Sequence, residues 1–189
     1  MCSQKIHEFA INTSANPDFY DLHSLVWNCF SPDAQERNFL FRFDKIGDMG
    51  FVHVRSTVNP AKVPETIQSE PSYNLREGQQ LRFDIRTVPV KRSNIGGKIR
   101  EKPLKDRAAI LDWFIEKARP RGFDPLRETL RVRGAVTRFQ KNESVLTVND
   151  TVISGKLIVM DPDTFYRETL LKGIGRYKSF GFGMLRCWE

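Results

Sequence analysis

The chain has 189 residues, 40% of them hydrophobic, enough for one large domain or two small ones around a packed core. No apolar run is long enough to span a bilayer, and the opening segment does not read as a secretion signal. Thirty Lys and Arg against 23 Asp and Glu give a net charge of +7, which favours an anionic partner, nucleic acid being the commonest.

Residues 5–12 alternate imperfectly through Ile6, Phe9 and Ile11, a strand signal. "NPDFYDLHSLVWNCF" predicts a helix with Asn16 as cap and Pro17 in the first turn. "RNFLFRFD" and "GFVHVRS" predict two strands joined by the turn "KIGDMG". "NPAKVPETIQSE" is a short helix candidate weakened by Pro64, and "SYNL" a closing strand. This order is βαββαβ, the ferredoxin-like unit.

The second half repeats the order. "QLRFDIRTVPV" is a strand with Leu81, Phe83 and Ile85 on one face. A basic, Gly-containing stretch, "KRSNIGGKIREKPLKDR", follows, and then "RAAILDWFIEKA", the clearest helix, with Ile110, Leu111, Phe114 and Ala118 at helical spacing. "TLRVRGAVTRF" and "SVLTVNDTVISGKLIVMD" are strand-rich, and "DPDTFYRETLLKG" predicts a helix capped by Asp161 or Asp163. The Gly-rich stretch "GIGRYKSFGFG" and a short strand in "MLRCWE" complete the unit. The predicted fold class is α+β: two tandem ferredoxin-like domains, 1–78 and 79–189, with a boundary near Arg76 to Gln79. A four-stranded sheet with exposed aromatic or basic side chains is a common RNA-binding platform.

The three cysteines, Cys2, Cys29 and Cys187, are widely spaced and form no CxxC pair, so they read as reduced thiols in a cytoplasmic protein. Between Lys91 and Arg107 seven basic residues face two acidic ones; Lys98 and Arg100 lie in this window. Arg131, Arg133, Arg138 and Lys141 form a second basic group on a β-hairpin. Each cluster alone is also what an ordinary solvated edge looks like. Together with the cationic Gly-rich loop they favour a binding surface. That loop fails the Walker pattern, because Tyr177 precedes Lys178-Ser179, and it reverses the strand–Gly–helix order of a dinucleotide fingerprint. A nucleotide cofactor is therefore not expected. Gly173, Gly175, Gly181 and Gly183 with Arg176 and Lys178 suit a phosphate backbone, or merely a tight connection.

The three histidines, His7, His23 and His53, show no metal-ligand spacing with the cysteines, and the "DPD" carboxylates read as a cap, so no metal site is expected. On the first helix Phe19, Leu22, Val26 and Phe30 form the apolar stripe; Tyr20, His23 and Trp27 flank it at i, i+3 and i+7. A border histidine is half-buried yet reachable, and its ordinary pKa of ~6.5 suits proton transfer at neutral pH. RNA brings its own nucleophile, the 2′-OH. A packed surface histidine is the plainer alternative.

"YDLHSLVW…NFLFRFD", "LRFDIRTVPVKR" and "GKLIVMDPDTFYRETLLKGIGRYKSFGFGML", in that order, resemble the CRISPR-associated precursor-RNA endoribonucleases of the type I-E Cascade complex, in the RAMP superfamily. The most specific part is G-I-G-x-x-K-[SA]-x-G-x-G-[ML]-L. The resemblance implies two ferredoxin-like domains and metal-independent cleavage at the base of a CRISPR repeat stem-loop, leaving a 2′,3′-cyclic phosphate and a 5′-OH. It maps the catalytic pair onto Tyr20 and His23, the RNA-contacting hairpin onto Arg131, Arg133 and Arg138, and the Gly-loop lysine onto Lys178. It implies retention of the cut hairpin and partnership with other Cascade subunits, without cofactor or membrane. A non-catalytic RNA-recognition module is the competing function.

Overall fold

The computed structural model describes residues 6–30, 37–62, 68–69, 73–141 and 144–189. Strands β1 (His7–Ser14), β2 (Phe39–Ile46), β3 (Met49–Ser56) and β4 (Gln68–Ser69) form an antiparallel sheet in the order β2-β3-β1-β4. Alternation puts Phe9, Ile11, Phe39, Phe41, Val52 and Val54 on one face. Helix α1 (Phe19–Trp27) covers that face with Leu22 and Val26, continued by Cys29 and Phe30. The predicted stripe is the packed one.

The cap of α1 differs from the expectation. Asp18, not Asn16, is the N-cap, its carboxylate accepting from the Tyr20 amide at 2.7 Å. Asn16 instead accepts from Lys45 Nζ at 3.2 Å, so it ties the approach to α1 to the end of β2. The helix candidate over 59–70 falls partly outside the described residues; its described parts are not helical, and Gln68–Ser69 pairs with β1. The closing strand thus lies at β4 rather than in "SYNL", where Tyr73 and Leu75 pack against the core of the second unit.

The second sheet is five-stranded and antiparallel. Its path is β11-β5-β10-β8, from β5 (Gln80–Thr87), β8 (Phe123–Pro125), β10 (Ser144–Val159) and β11 (Leu185–Trp188). The long β10 also pairs along its first part with β9 (Arg131–Lys141). Between β5 and α2 (Arg107–Ala118) the basic stretch is itself a hairpin, β6 (Val90–Ile95) and β7 (Lys98–Pro103), turning on Gly96-Gly97. Helix α2 and a helical segment, α3 (Pro162–Thr164) continued as a π-helix over Phe165–Leu171, pack on the other side around Phe83, Phe114, Phe123 and Phe165. Asp161 caps α3 by accepting from the Thr164 amide at 3.1 Å. With β8 and β9 sharing one strand's place beside β10, both sheets have the ferredoxin-like order, so the fold class is as expected.

The sheet faces left free by the helices do not form an open RNA platform. They meet each other through paired charges. Arg42 donates to Asp44 at 2.9 Å and to Asp84 at 2.8 Å; Arg186 donates to Asp44 at 2.9 Å and to Asp84 at 2.7 Å. Arg55, 2% exposed, donates to the carbonyls of Leu185 and Leu170, to Tyr73 Oη and to Glu8. Strand alternation explains this: the residues between the core phenylalanines are arginines and carboxylates, and two such faces complement each other. Cys29 is buried and Cys187 half-buried, both free thiols; Cys2 lies outside the described residues. No helix among the described residues is long and apolar enough to cross a membrane.

Candidate RNA-processing site

Three sequence-predicted elements converge. Helix α1 lies against β9 and against the single turn Lys178–Phe180 of the Gly-rich loop. Phe182, fully buried, stacks on Phe19 of α1 with ring centroids 6.0 Å apart and planes 8° from parallel. The Arg86 guanidinium sits 5.4 Å from the Phe182 ring and 5.7 Å from the Phe19 ring. It is held there by Asp150 and by the Phe43 carbonyl at 2.9 Å. Loop, helix and both sheets are therefore fastened at one point.

On α1 the predicted flank divides between an exposed and a half-buried side chain. Tyr20 is 60% exposed, while His23 is half-buried and stacks on Trp27 at 5.9 Å. Burial first, and then the Arg37 guanidinium, hold the His23 imidazole below its ordinary pKa. The neutral, proton-accepting form is favoured. Lys178 on the facing turn donates to the Lys172 carbonyl at 2.6 Å. Burial first, then Arg37 and Arg121, lower its ammonium pKa. Arg37, just before β2, thus acts electrostatically on both His23 and Lys178.

The glycines serve the tight connection, one of the two uses that their pattern suits. Gly173 and Gly183 have φ of +69° and +87°, and a Cβ on either would lie 2.7 Å from a backbone oxygen of the facing strand of the loop. The amides of Gly173, Gly181 and Gly183 donate to Thr169, Lys178 and Arg86 carbonyls. These three amides are thus committed to carbonyls of the chain itself. Gly175 and Arg176 line a neighbouring cleft, and Arg176 pairs with Glu101 of β7.

The basic hairpin is split. Register places Arg131 opposite Ser154 and Arg133 opposite Val152, on the face shared with Asp150 and Thr137, whose hydroxyl donates to that carboxylate at 2.9 Å. Arg138, an odd seven residues from Arg131, is exposed on the opposite face. Lys98 and Arg100 are exposed on β7. Sequence reading missed Arg37, Arg86 and Arg121. Among the described residues no three His, Cys, Asp or Glu side chains are grouped to hold a metal ion.

Two ferredoxin-like sheets packed face to face, with a Gly-rich loop docked on a histidine-bearing helix, define the class: a tandem ferredoxin-like protein. The chain belongs to the family of CRISPR-associated proteins, whose model matches residues 5–187. It is 30% identical over 122 residues to the CRISPR-associated endoribonuclease Cse3 of Thermus thermophilus. That match spans 59% of this chain and 56% of the relative, little more than half of each. Thermus thermophilus Cse3 bound to an RNA representing a pre-cleavage complex has the same fold, with a TM-score of 0.79 at 22% identity over 99% of this chain and 100% of that one. So does the CRISPR-associated protein Cas6e of Escherichia coli K-12, with 0.75 at 21% over 96% and 98%.

Proposed function

We propose that the chain is an endoribonuclease that cuts precursor CRISPR RNA once within each repeat, at the base of a stem-loop. The observation that carries this is the meeting of α1, the helix that bears His23, with the Lys178 turn and with the strand that bears Arg131 and Arg133. His23 takes the proton from the ribose 2′-OH. The 2′-oxygen bonds to phosphorus, the P–O5′ bond breaks, and the 5′-oxygen leaves with a proton taken from solvent water, to which His23 returns its own, giving a 2′,3′-cyclic phosphate and a 5′-OH. Tyr20 orients the scissile phosphate, and Lys178 offsets the charge that builds on its oxygens. Arg131 and Arg133 hold the stem backbone, with Arg138, Arg176, Lys98 and Arg100 as outlying phosphate contacts.

The reaction needs no metal and no cofactor. The product hairpin stays bound, and the further partners are other Cascade subunits in the cytoplasm. Residues 1–78 carry the catalytic helix; residues 79–189 carry the basic hairpins and the Gly-rich loop.

The test is cleavage of a labelled repeat hairpin in EDTA by wild type and His23→Ala. The expected result is a single cut at the stem base, lost in the variant while binding persists. Binding of the cognate repeat without cleavage by wild type would replace this reading with a recognition module.

A further inference from the structure

A second basic feature adjoins the Gly-rich loop at Gly175 and Arg176. It is a cleft of about 430 Å³ between β6, the C-terminal half of α2 and the loop, lined by Lys91, Arg92, Trp113, Lys117, Arg121 and Arg176. Five cations there face one lining carboxylate, Glu116. Glu101, outside the lining, bridges Arg92 (2.9 Å) and Arg176, so it fixes two of those guanidiniums on the rim. Arg121 donates from Nη1 to the Lys117 carbonyl at 2.9 Å, and its buried Nε has no hydrogen-bond partner among the described residues. A volume of this size is that of a small-molecule site, too small to admit a duplex.

The cleft and the catalytic side share one rim. Arg176 lines the cleft, and Lys178, two residues on, belongs to the turn packed on α1. Two residues span at most about 7 Å. This is about two nucleotide rises of 3.4 Å along one strand. We infer that this cleft holds the single-stranded RNA flank that leaves the stem beside the scissile phosphate. The inference rests on the nuclease reading above and adds a subsite to it.

The cleft wall is cationic, and Trp113 is only 8% exposed, so contact is to backbone phosphate rather than to base edges. Binding there is independent of flank sequence and falls with salt. Each phosphate contact contributes about 0.7 to the slope of log affinity on log salt.

The experiment measures affinity for three RNAs: the blunt repeat hairpin, the hairpin with a 5′ single-stranded flank, and the hairpin with a 3′ flank. Wild type and the Lys91→Ala/Lys117→Ala double variant are compared, with circular dichroism to confirm folding. Wild type is expected to bind one flanked RNA about tenfold tighter than the blunt one, with a salt slope steeper by about 1.4 for two added contacts. In the variant the ratio of flanked to blunt affinity should collapse towards one. Glu116→Lys, which adds a cation to the same wall, should raise it. A wild-type ratio of one, or a ratio the double variant leaves intact, overturns the inference and leaves the nuclease reading standing. Failure of wild type to bind or cut any of the three RNAs overturns the nuclease reading and this subsite with it.

Discussion

Phe182 joins the Gly-rich loop to α1, so Phe182→Leu tests whether that joint positions the site. The substitution keeps a buried apolar side chain but removes the near-parallel stack on Phe19 and the Arg86 contact. An aromatic pair contributes about 0.5–1.5 kcal/mol beyond its buried area. The cation–π contact adds about 0.5–2 kcal/mol. Together they make the variant about 1–3 kcal/mol less stable. For a chain of this size that lowers Tm by about 2–12 °C, at roughly 2–4 °C per kcal/mol. The functional effect should be larger than this loss suggests. With the stack gone, α1 and the Lys178 turn settle differently, and a misplacement of about 1 Å between catalytic groups costs up to about 100-fold in rate. The assay is single-turnover cleavage of the repeat hairpin well below the variant's Tm, with binding measured alongside. A lowered Tm with an unchanged single-turnover rate would refute the claim that this stack positions α1 against the Lys178 turn for cleavage.

Burial and Arg37 both disfavour the imidazolium, so His23 loses its proton below its ordinary pKa of ~6.5. A base must be neutral, so cleavage should rise with pH through that lowered pKa and level off before neutrality; Arg37→Gln should move the acid limb upward in a pH–rate profile. Glu101→Gln frees Arg92 and Arg176 for phosphate and removes a carboxylate from the cleft rim, so filter binding should show tighter, more salt-dependent RNA affinity. Stability should change little, since partly exposed pairs contribute about 0–1 kcal/mol. Arg55→Ala strips the partner from Glu8 and from two buried carbonyls, and should cost about 3–5 kcal/mol, read as a lower urea midpoint at constant m.

The long alternating or helical segments were legible because their periods are strong: the phenylalanines of β2, the Leu22 and Val26 stripe, the core face of α2. The misses have physical reasons. Asn16 and Asp18 are both capping residues, and only the tertiary contact to Lys45 shows why Asn16 is occupied elsewhere. The β6–β7 hairpin lacks apolar alternation and is marked by Gly96-Gly97 alone. In the site, the i, i+3 spacing places His23 on a half-buried border, where it is, while Tyr20 stands exposed beside it. Arg138 was grouped with Arg131 and Arg133 although parity already separated them. Arg37 could not be found, because nothing in "ERNFLF" signals that its guanidinium comes beside α1. The loop glycines suit a phosphate contact or a tight connection equally in sequence; the structure shows them letting two stretches of backbone lie closer than any Cβ allows.

The same loop is wedged against the first sheet. A Cβ on Gly181 would stand 3.0 Å from Phe41 Cε2, and one on Gly173 3.0 Å from Leu40 Cδ1. A loop that belongs to one half of the chain thus takes its shape from the surface of the other. If the proposed site is the working one, neither half produced separately would own it: one would carry His23 without the Lys178 turn that packs on its helix, the other that turn with nothing to press against. Docking the halves is then the act of assembling the site, and the buried arginine–aspartate layer between the sheets acts as the latch that keeps it assembled.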